Sequence, residues 1–119
     1  MIKQAIIPLA GQGTRLLPLT SVFAKELLPI NGKPGIEYIL DECIEAGIKE
    51  VVFIISNKKK MIKNYFYSDA FYKKIIKKKK DSRIIAEYKK ILKYKKLIKF
   101  VYQNTPNGTG DAVFKTRKY

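Results

Sequence analysis

Two glycine-containing loops and one lysine-glutamate pair are the parts of this sequence with chemistry to offer. The run Leu9-Ala10-Gly11-Gln12-Gly13-Thr14-Arg15-Leu16-Leu17-Pro18 is followed seven residues later by Lys25-Glu26-Leu27-Leu28-Pro29. Glycines at 11 and 13 let the backbone approach a ligand closely and turn several N–H groups toward one point, which is how a loop holds phosphate oxygens. Thr14 and Arg15 follow at once; Arg15 can offer a bidentate fork to a phosphate, and Lys25 a second positive point charge. The second loop lies some ninety residues on: Gln103-Asn104-Thr105-Pro106-Asn107-Gly108-Thr109-Gly110-Asp111-Ala112. Gln103 carries both a donor and an acceptor, which suits the imide edge of a pyrimidine, and Gly108 and Gly110 again permit close approach. A tight turn among surface charges, and a strand-to-helix connection capped by Asp111, would use the same residue types. Two such loops joined by Lys25-Glu26 on one chain favour a phosphate-bearing ligand.

The first loop is not a dinucleotide-binding fingerprint, because Leu16 stands where the third glycine would fall. Nor is it a Walker loop, which needs Gly-Lys-Ser/Thr after four residues.

The elements that must hold these loops can be read from periodicity. Ile2 to Leu9 is a short apolar run, the pattern of a buried parallel strand, with pairing expected to stop where Pro8 removes a ladder donor. A loop-like stretch punctuated by Pro18, Pro29, Asn31-Gly32 and Pro34 follows. Ile36, Ile39, Leu40, Cys43 and Ile44 then follow helical spacing, and Gly47 sits where a left-handed cap belongs. Val51 to Ile55 reads as a second buried strand and Leu97 to Tyr102 as a third, so both glycine loops follow a strand, where ligands of open α/β sheets bind. Between the second and third strands, Ile62, Tyr65 and Phe66, then Tyr72, Ile75 and Ile76, then Ile84, Ile85, Tyr88, Ile91 and Leu92 predict two or three amphipathic helices. Asp111 is expected to cap a last helix. The fold class is therefore α/β, a parallel sheet with flanking helices and strands at about 2–9, 50–55 and 97–102.

Composition removes much else. The 119 residues are 46% hydrophobic and 29% charged, with a length that suits one domain. No apolar run reaches the about 18 residues of a membrane span, and the apolar start lacks a signal peptide's charged region and cleavage site, so the chain reads as cytoplasmic. A lone Cys43 and no histidine exclude an internal disulfide, a histidine-based triad and the usual zinc sites. The net charge of +15 invites a nucleic-acid reading, but residues 1–57 carry 5 basic and 6 acidic side chains while residues 58–99 carry 17 and 3. Of 25 basic residues only three are arginine, and among the aromatics between the lysines Tyr65, Phe66, Tyr72 and Tyr88 fall on helical stripes. No specific nucleic-acid partner is expected from them; a lysine-rich binder of nucleic acid or anionic surfaces, or a gene fragment without function, are the alternative readings.

The motifs Ala10-Gly11-x-Gly13-Thr14-Arg15-x-Leu17-Pro18, Lys25-Glu26-Leu27-Leu28-Pro29-Ile30, Lys33-Pro34, Ile36-Glu37-Tyr38, Ala46-Gly47-Ile48 and Gly108-x-Gly110-x-Ala112-Val113 resemble the start of the bacterial UTP-glucose-1-phosphate uridylyltransferases, of the sugar nucleotidyltransferase family. The likeness runs through all 119 residues. It implies that the chain is the amino-terminal part of one Rossmann-like nucleotidyltransferase domain, with a lysine-rich helical insertion at about 57–97. It implies UTP and glucose 1-phosphate as substrates, UDP-glucose and pyrophosphate as products, and Mg²⁺ as cofactor. Ala10, Gly11, Gly13 and Thr14 would meet the nucleotide, Arg15 and Lys25 would hold the triphosphate in the catalytic role, and Glu26, Gln103 and Gly108 would read the uracil.

Three departures stand out: Gln12 where an apolar residue is common, Ser21 where the family usually has lysine, and Ala24 where it has proline. Losing that proline is expected to loosen the loop that aims Lys25. The resemblance puts the Mg²⁺-binding aspartate in a strand beyond these 119 residues, so no metal ligand is assigned here and no turnover is expected of this chain alone. No membrane partner is implied, and a homo-oligomer is one form the longer enzyme could take.

Overall fold

The computed structural model describes residues 2–9, 11, 15, 17–19, 23–103 and 113–114. Three strands, β1 (Gln4–Pro8), β4 (Glu50–Ile55) and β5 (Ile98–Tyr102), form a parallel sheet in the order β1-β4-β5. Parallel neighbours need crossover connections. Helix α1 (Gly35–Glu45) lies in the first, and α2 (Lys60–Tyr67), α3 (Ala70–Lys78) and α4 (Ser82–Leu97) in the second.

β4 is the central strand and all five residues from Val51 to Ile55 are fully buried, as a β-branched run paired on both sides should be. The register sets Ala5, Val51 and Ile98 side by side, then Ile7, Phe53 and Phe100, then Ile55 and Tyr102. Ile36 and Leu40 of α1, Ile62 and Phe66 of α2, and Ile91 and Tyr94 of α4 pack with these rows in one core. Each fully buried aliphatic or aromatic side chain there contributes about 1.5–3 kcal/mol.

β1 is only partly buried, at the edge of the described sheet, where the sequence reading expected a buried strand. Its pairing also runs past Pro8: the Leu9 N–H donates to the Ile54 carbonyl at 2.7 Å. Alternate residues of a strand address the same neighbour, so Leu9 facing β4 turns the donor-less nitrogen of Pro8 away from it.

The stop of α1 follows the expectation. Gly47, at φ 79°, donates to Ile44 O and Ile48 donates to Cys43 O, both at 3.0 Å, the paired bonds that close a helix over a left-handed residue. The loop-like stretch before α1 contains an unexpected hairpin, β2 (Pro29–Ile30) against β3 (Lys33–Pro34), turned by Asn31 at φ 53° and Gly32 at φ 76°. Both central residues have positive φ, the geometry Asn-Gly favours.

The lysine-rich segment, expected to hold two or three helices, holds three. Asp81 caps α4 by accepting the Arg83 and Ile84 N–H groups. α3 buries no residue and leans on α4 through Tyr72 stacked on Tyr88, with centroids 5.5 Å apart. Polar ties bind α1 to this segment: Tyr65 donates to Glu37, Lys90 Nζ stands 3.0 Å from Glu37 Oε1, and Asp41 accepts from Tyr94 and Lys33. Glu37, seven residues before Ile44, is thereby buried at the border of the apolar stripe of α1. No helix among the described residues is long and apolar enough to cross a membrane.

Candidate functional site

The two loops singled out in the sequence leave the sheet on either side of one strand end. Leu9 donates to Ile54 O at 2.7 Å and Gln103 donates its backbone N–H to Ile55 O at 2.8 Å. The starts of both loops are thus pinned to consecutive carbonyls of β4, at the carboxyl edge of the sheet. Leu9 is buried in the core and Gln103 is 4% exposed, so neither start is free to drift.

Of the residues expected to form the site, Gly11, Arg15, Lys25, Glu26 and Gln103 are described; Ala10, Gly13, Thr14 and Gly108 lie outside the described residues, as do Gln12, Ser21 and Asp111. Gly11 is exposed, its φ is not positive, and a Cβ there would meet nothing within 4 Å. Packing among the described residues therefore does not demand glycine at 11. Arg15 and Lys25 are exposed, and among the described residues no carboxylate lies within ion-pair distance of either.

Lys25 begins a short 3-10 turn, Lys25–Leu27. The turn is closed by Leu27 N–H to Ala24 O at 3.0 Å and Leu28 N–H to Lys25 O at 3.2 Å. Its middle residue, Glu26, turns inward and is 8% exposed. Lys59 Nζ donates to both its carboxylate oxygens, at 2.9 Å and 3.1 Å. Lys59 ends a second 3-10 turn, Asn57–Lys59, that follows β4 directly. The sequence reading missed Lys59, which stands between Lys58 and Lys60 with nothing in its type to set it apart.

The backbone of Ala24 answers the concern over the absent proline. Its φ of −67° is the value a proline ring would impose, and its N–H, which proline lacks, donates to Met61 Sδ at 3.1 Å. The turn is held without the ring.

Among the described residues no group of three or more aspartate, glutamate or cysteine side chains could hold a metal. Glu26, the acidic residue next to Lys25, receives Lys59.

A family model described as nucleotidyl transferase matches residues 4–119. The UTP–glucose-1-phosphate uridylyltransferase of Mycoplasma pneumoniae is 39% identical over 118 residues, covering 99% of this chain and 40% of that protein. That of Bacillus subtilis is 35% identical over 118 residues, with the same coverage. Among solved structures, a UTP-bound UGPase from Acinetobacter baumannii superposes with a TM-score of 0.89 at 34% identity, covering 99% of this chain and 41% of that one. A UDP-glucose pyrophosphorylase complexed with UDP-glucose superposes at 0.75 and 30% identity, covering 99% and 41%. The chain spans about 40% of the length of the curated relatives it matches.

Proposed function

The chain belongs to the nucleotidyl transferase family, and on that premise we propose that it is the nucleotide-binding part of a UTP-glucose-1-phosphate uridylyltransferase, the amino-terminal part of one nucleotidyltransferase domain. The observation that supports the reading is the pinning of Leu9 and Gln103, where the two glycine loops begin, to the adjacent carbonyls of Ile54 and Ile55. A nucleotide bound between them would have its triphosphate on the Ala10–Arg15 side and its base on the Gln103–Gly108 side.

In the reaction proposed for the whole protein, a phosphate oxygen of glucose 1-phosphate attacks the α-phosphorus of UTP. That bond forms as the bond from the α-phosphorus to the bridging oxygen breaks, and pyrophosphate leaves. Such a transfer is catalysed by positioning and by countering charge, so it needs no protein nucleophile. Arg15 and Lys25 supply that countercharge, and the N–H groups of Ala10, Gly11, Gly13 and Thr14 hold phosphate oxygens. Glu26 and Gln103 read the uracil, a carboxylate accepting from the imide N–H and an amide pairing with either edge, with Gly108 lying against the ring. Mg²⁺, when bound, would neutralise triphosphate charge; the described residues do not make a site for it. We place the activity in the cytoplasm, where these soluble phosphorylated substrates would meet it.

Calorimetric titration of the 119-residue chain with UTP tests the site. Arg15→Ala should weaken binding about tenfold or more, since a charge-assisted hydrogen bond is worth about 1.5–3 kcal/mol; equal affinities would remove Arg15 from the site. Measurable UDP-glucose formation by this chain from UTP, glucose 1-phosphate and Mg²⁺ would contradict the assignment of nucleotide binding alone.

A further inference from the structure

We propose that Lys59 is a positioning residue of the nucleotide site, acting through Glu26 on the turn that presents Lys25. The inference rests on the nucleotide-site reading above and adds to it a residue from the helical segment.

Among the described residues, Lys59 is the one buried lysine, 6% exposed in a chain whose other described lysines reach solvent. Its ammonium meets both oxygens of Glu26 across 33 residues of sequence. Two residues on, Met61 Sδ accepts the Ala24 N–H at 3.1 Å. The ties fall on either side of Lys25: Ala24 before it is held by Met61, and Glu26 after it is held by Lys59. Lys25 is left exposed between two anchored neighbours, with no carboxylate of the described residues to claim it.

The first of these anchors, Lys59, lies four residues past Ile55, the residue whose carbonyl holds Gln103. One strand end therefore governs three parts of the site: Ile54 holds the first loop, Ile55 the second, and Lys59 in the turn after Ile55 holds Glu26 beside Lys25. A buried ion pair is a poor way to add stability, because desolvating both charges offsets much of their attraction, and an apolar pair of similar volume does as well. What the pair provides that an apolar contact would not is a fixed direction for the Glu26 carboxylate and, through the turn, for its neighbour.

The test uses the 119-residue chain with two ligands, UTP and inorganic tripolyphosphate, titrated calorimetrically against wild type, Lys59→Met and Lys59→Arg. Circular dichroism fixes a temperature at which each variant is folded. Tripolyphosphate has no base, so it reports on the Lys25 side alone. Lys59→Met should weaken UTP at least about tenfold and tripolyphosphate at least about threefold in the folded protein, as loss of one partner of a buried charge pair does at binding sites. Lys59→Arg, which keeps the charge and can grip both oxygens, should restore binding to within about threefold of wild type. A Lys59→Met variant that melts lower yet binds both ligands as wild type does when folded would overturn the positioning role and leave the nucleotide site intact. Should Lys59→Met prove unfolded at every temperature, Lys59→Arg decides: folded but binding as weakly as Arg15→Ala, it overturns the proposal. Absence of UTP binding by the wild-type chain would overturn both readings.

Discussion

The hydroxyl of Tyr94 donates to Asp41 Oδ1 at 2.6 Å, joining α4 to α1 across 53 residues of sequence. Tyr94 is buried, and its ring meets Phe66 edge-on at 6.1 Å between centroids, so one side chain serves both the apolar core and the polar tie to α1. Tyr94→Phe keeps the ring and removes the bond. Asp41 retains Lys33 as a partner, so the cost should be about 1–2 kcal/mol, read as a fall of several degrees in the thermal midpoint. A midpoint unchanged within about 1 °C would mean that the bond contributes nothing net.

The same carboxylate sets a pH dependence. Burial pushes the Asp41 pKa up, but the hydrogen bonds from Lys33 and Tyr94, helped by the Lys33 and Lys90 charges, outweigh it and leave the group below its ordinary 3.8. A folded-state pKa depressed below the unfolded one means that the unfolded chain takes the proton first. Its stabilisation is present in full above the ordinary value and is lost as pH falls through the lowered one. Urea midpoints measured from pH 5 downward should therefore decline below about pH 4, and less steeply in Asp41→Asn. Part of the slope should survive in that variant, because Asp69, hydrogen-bonded by Tyr88, is lowered as well. Identical slopes would take Asp41 out of the acid limb.

Ala24→Pro should destabilise although the native φ of −67° suits the ring. Proline at a compatible position gains about 0.4–1 kcal/mol by restricting the unfolded chain, but here its Cδ would take the place of the hydrogen donated to Met61 Sδ at 3.1 Å, so the bond is lost and the sulfur has to move. Chemical denaturation should place the variant at least about 1 kcal/mol below wild type. A variant as stable as wild type would show that Met61 gives way and that its bond to Ala24 contributes nothing net.

Much of the fold was legible because its causes are local. Val51 to Ile55, short, continuous and rich in β-branched residues, reads as a strand buried on both faces, and Ile36, Leu40 and Gly47 set a helix and its stop without reference to anything distant. The stripes carrying Ile62, Phe66 and Ile91 likewise marked the helices of the lysine-rich segment, whichever surface they were to cover. The Pro29–Pro34 hairpin was readable too: Asn31-Gly32 is the strongest short-range turn signal, hidden by strands only two residues long.

The site divides the same way. The glycines after strands, Arg15 and Lys25 are expected at a ligand site from residue type and spacing alone, since such a site asks for a backbone free to turn and for positive charge. Glu26 is expected there for the same local reasons, but nothing local marks it as buried, and Lys59 was not legible at all. Lys58, Lys59 and Lys60 are the same residue three times over, and only the middle one is buried. Local sequence sets which way a chain turns and which face is apolar. Whether a given charge leaves water depends on a counter-charge waiting at the other end, and Glu26, 33 residues earlier, is brought to Lys59 by the sheet and the turns at its edge.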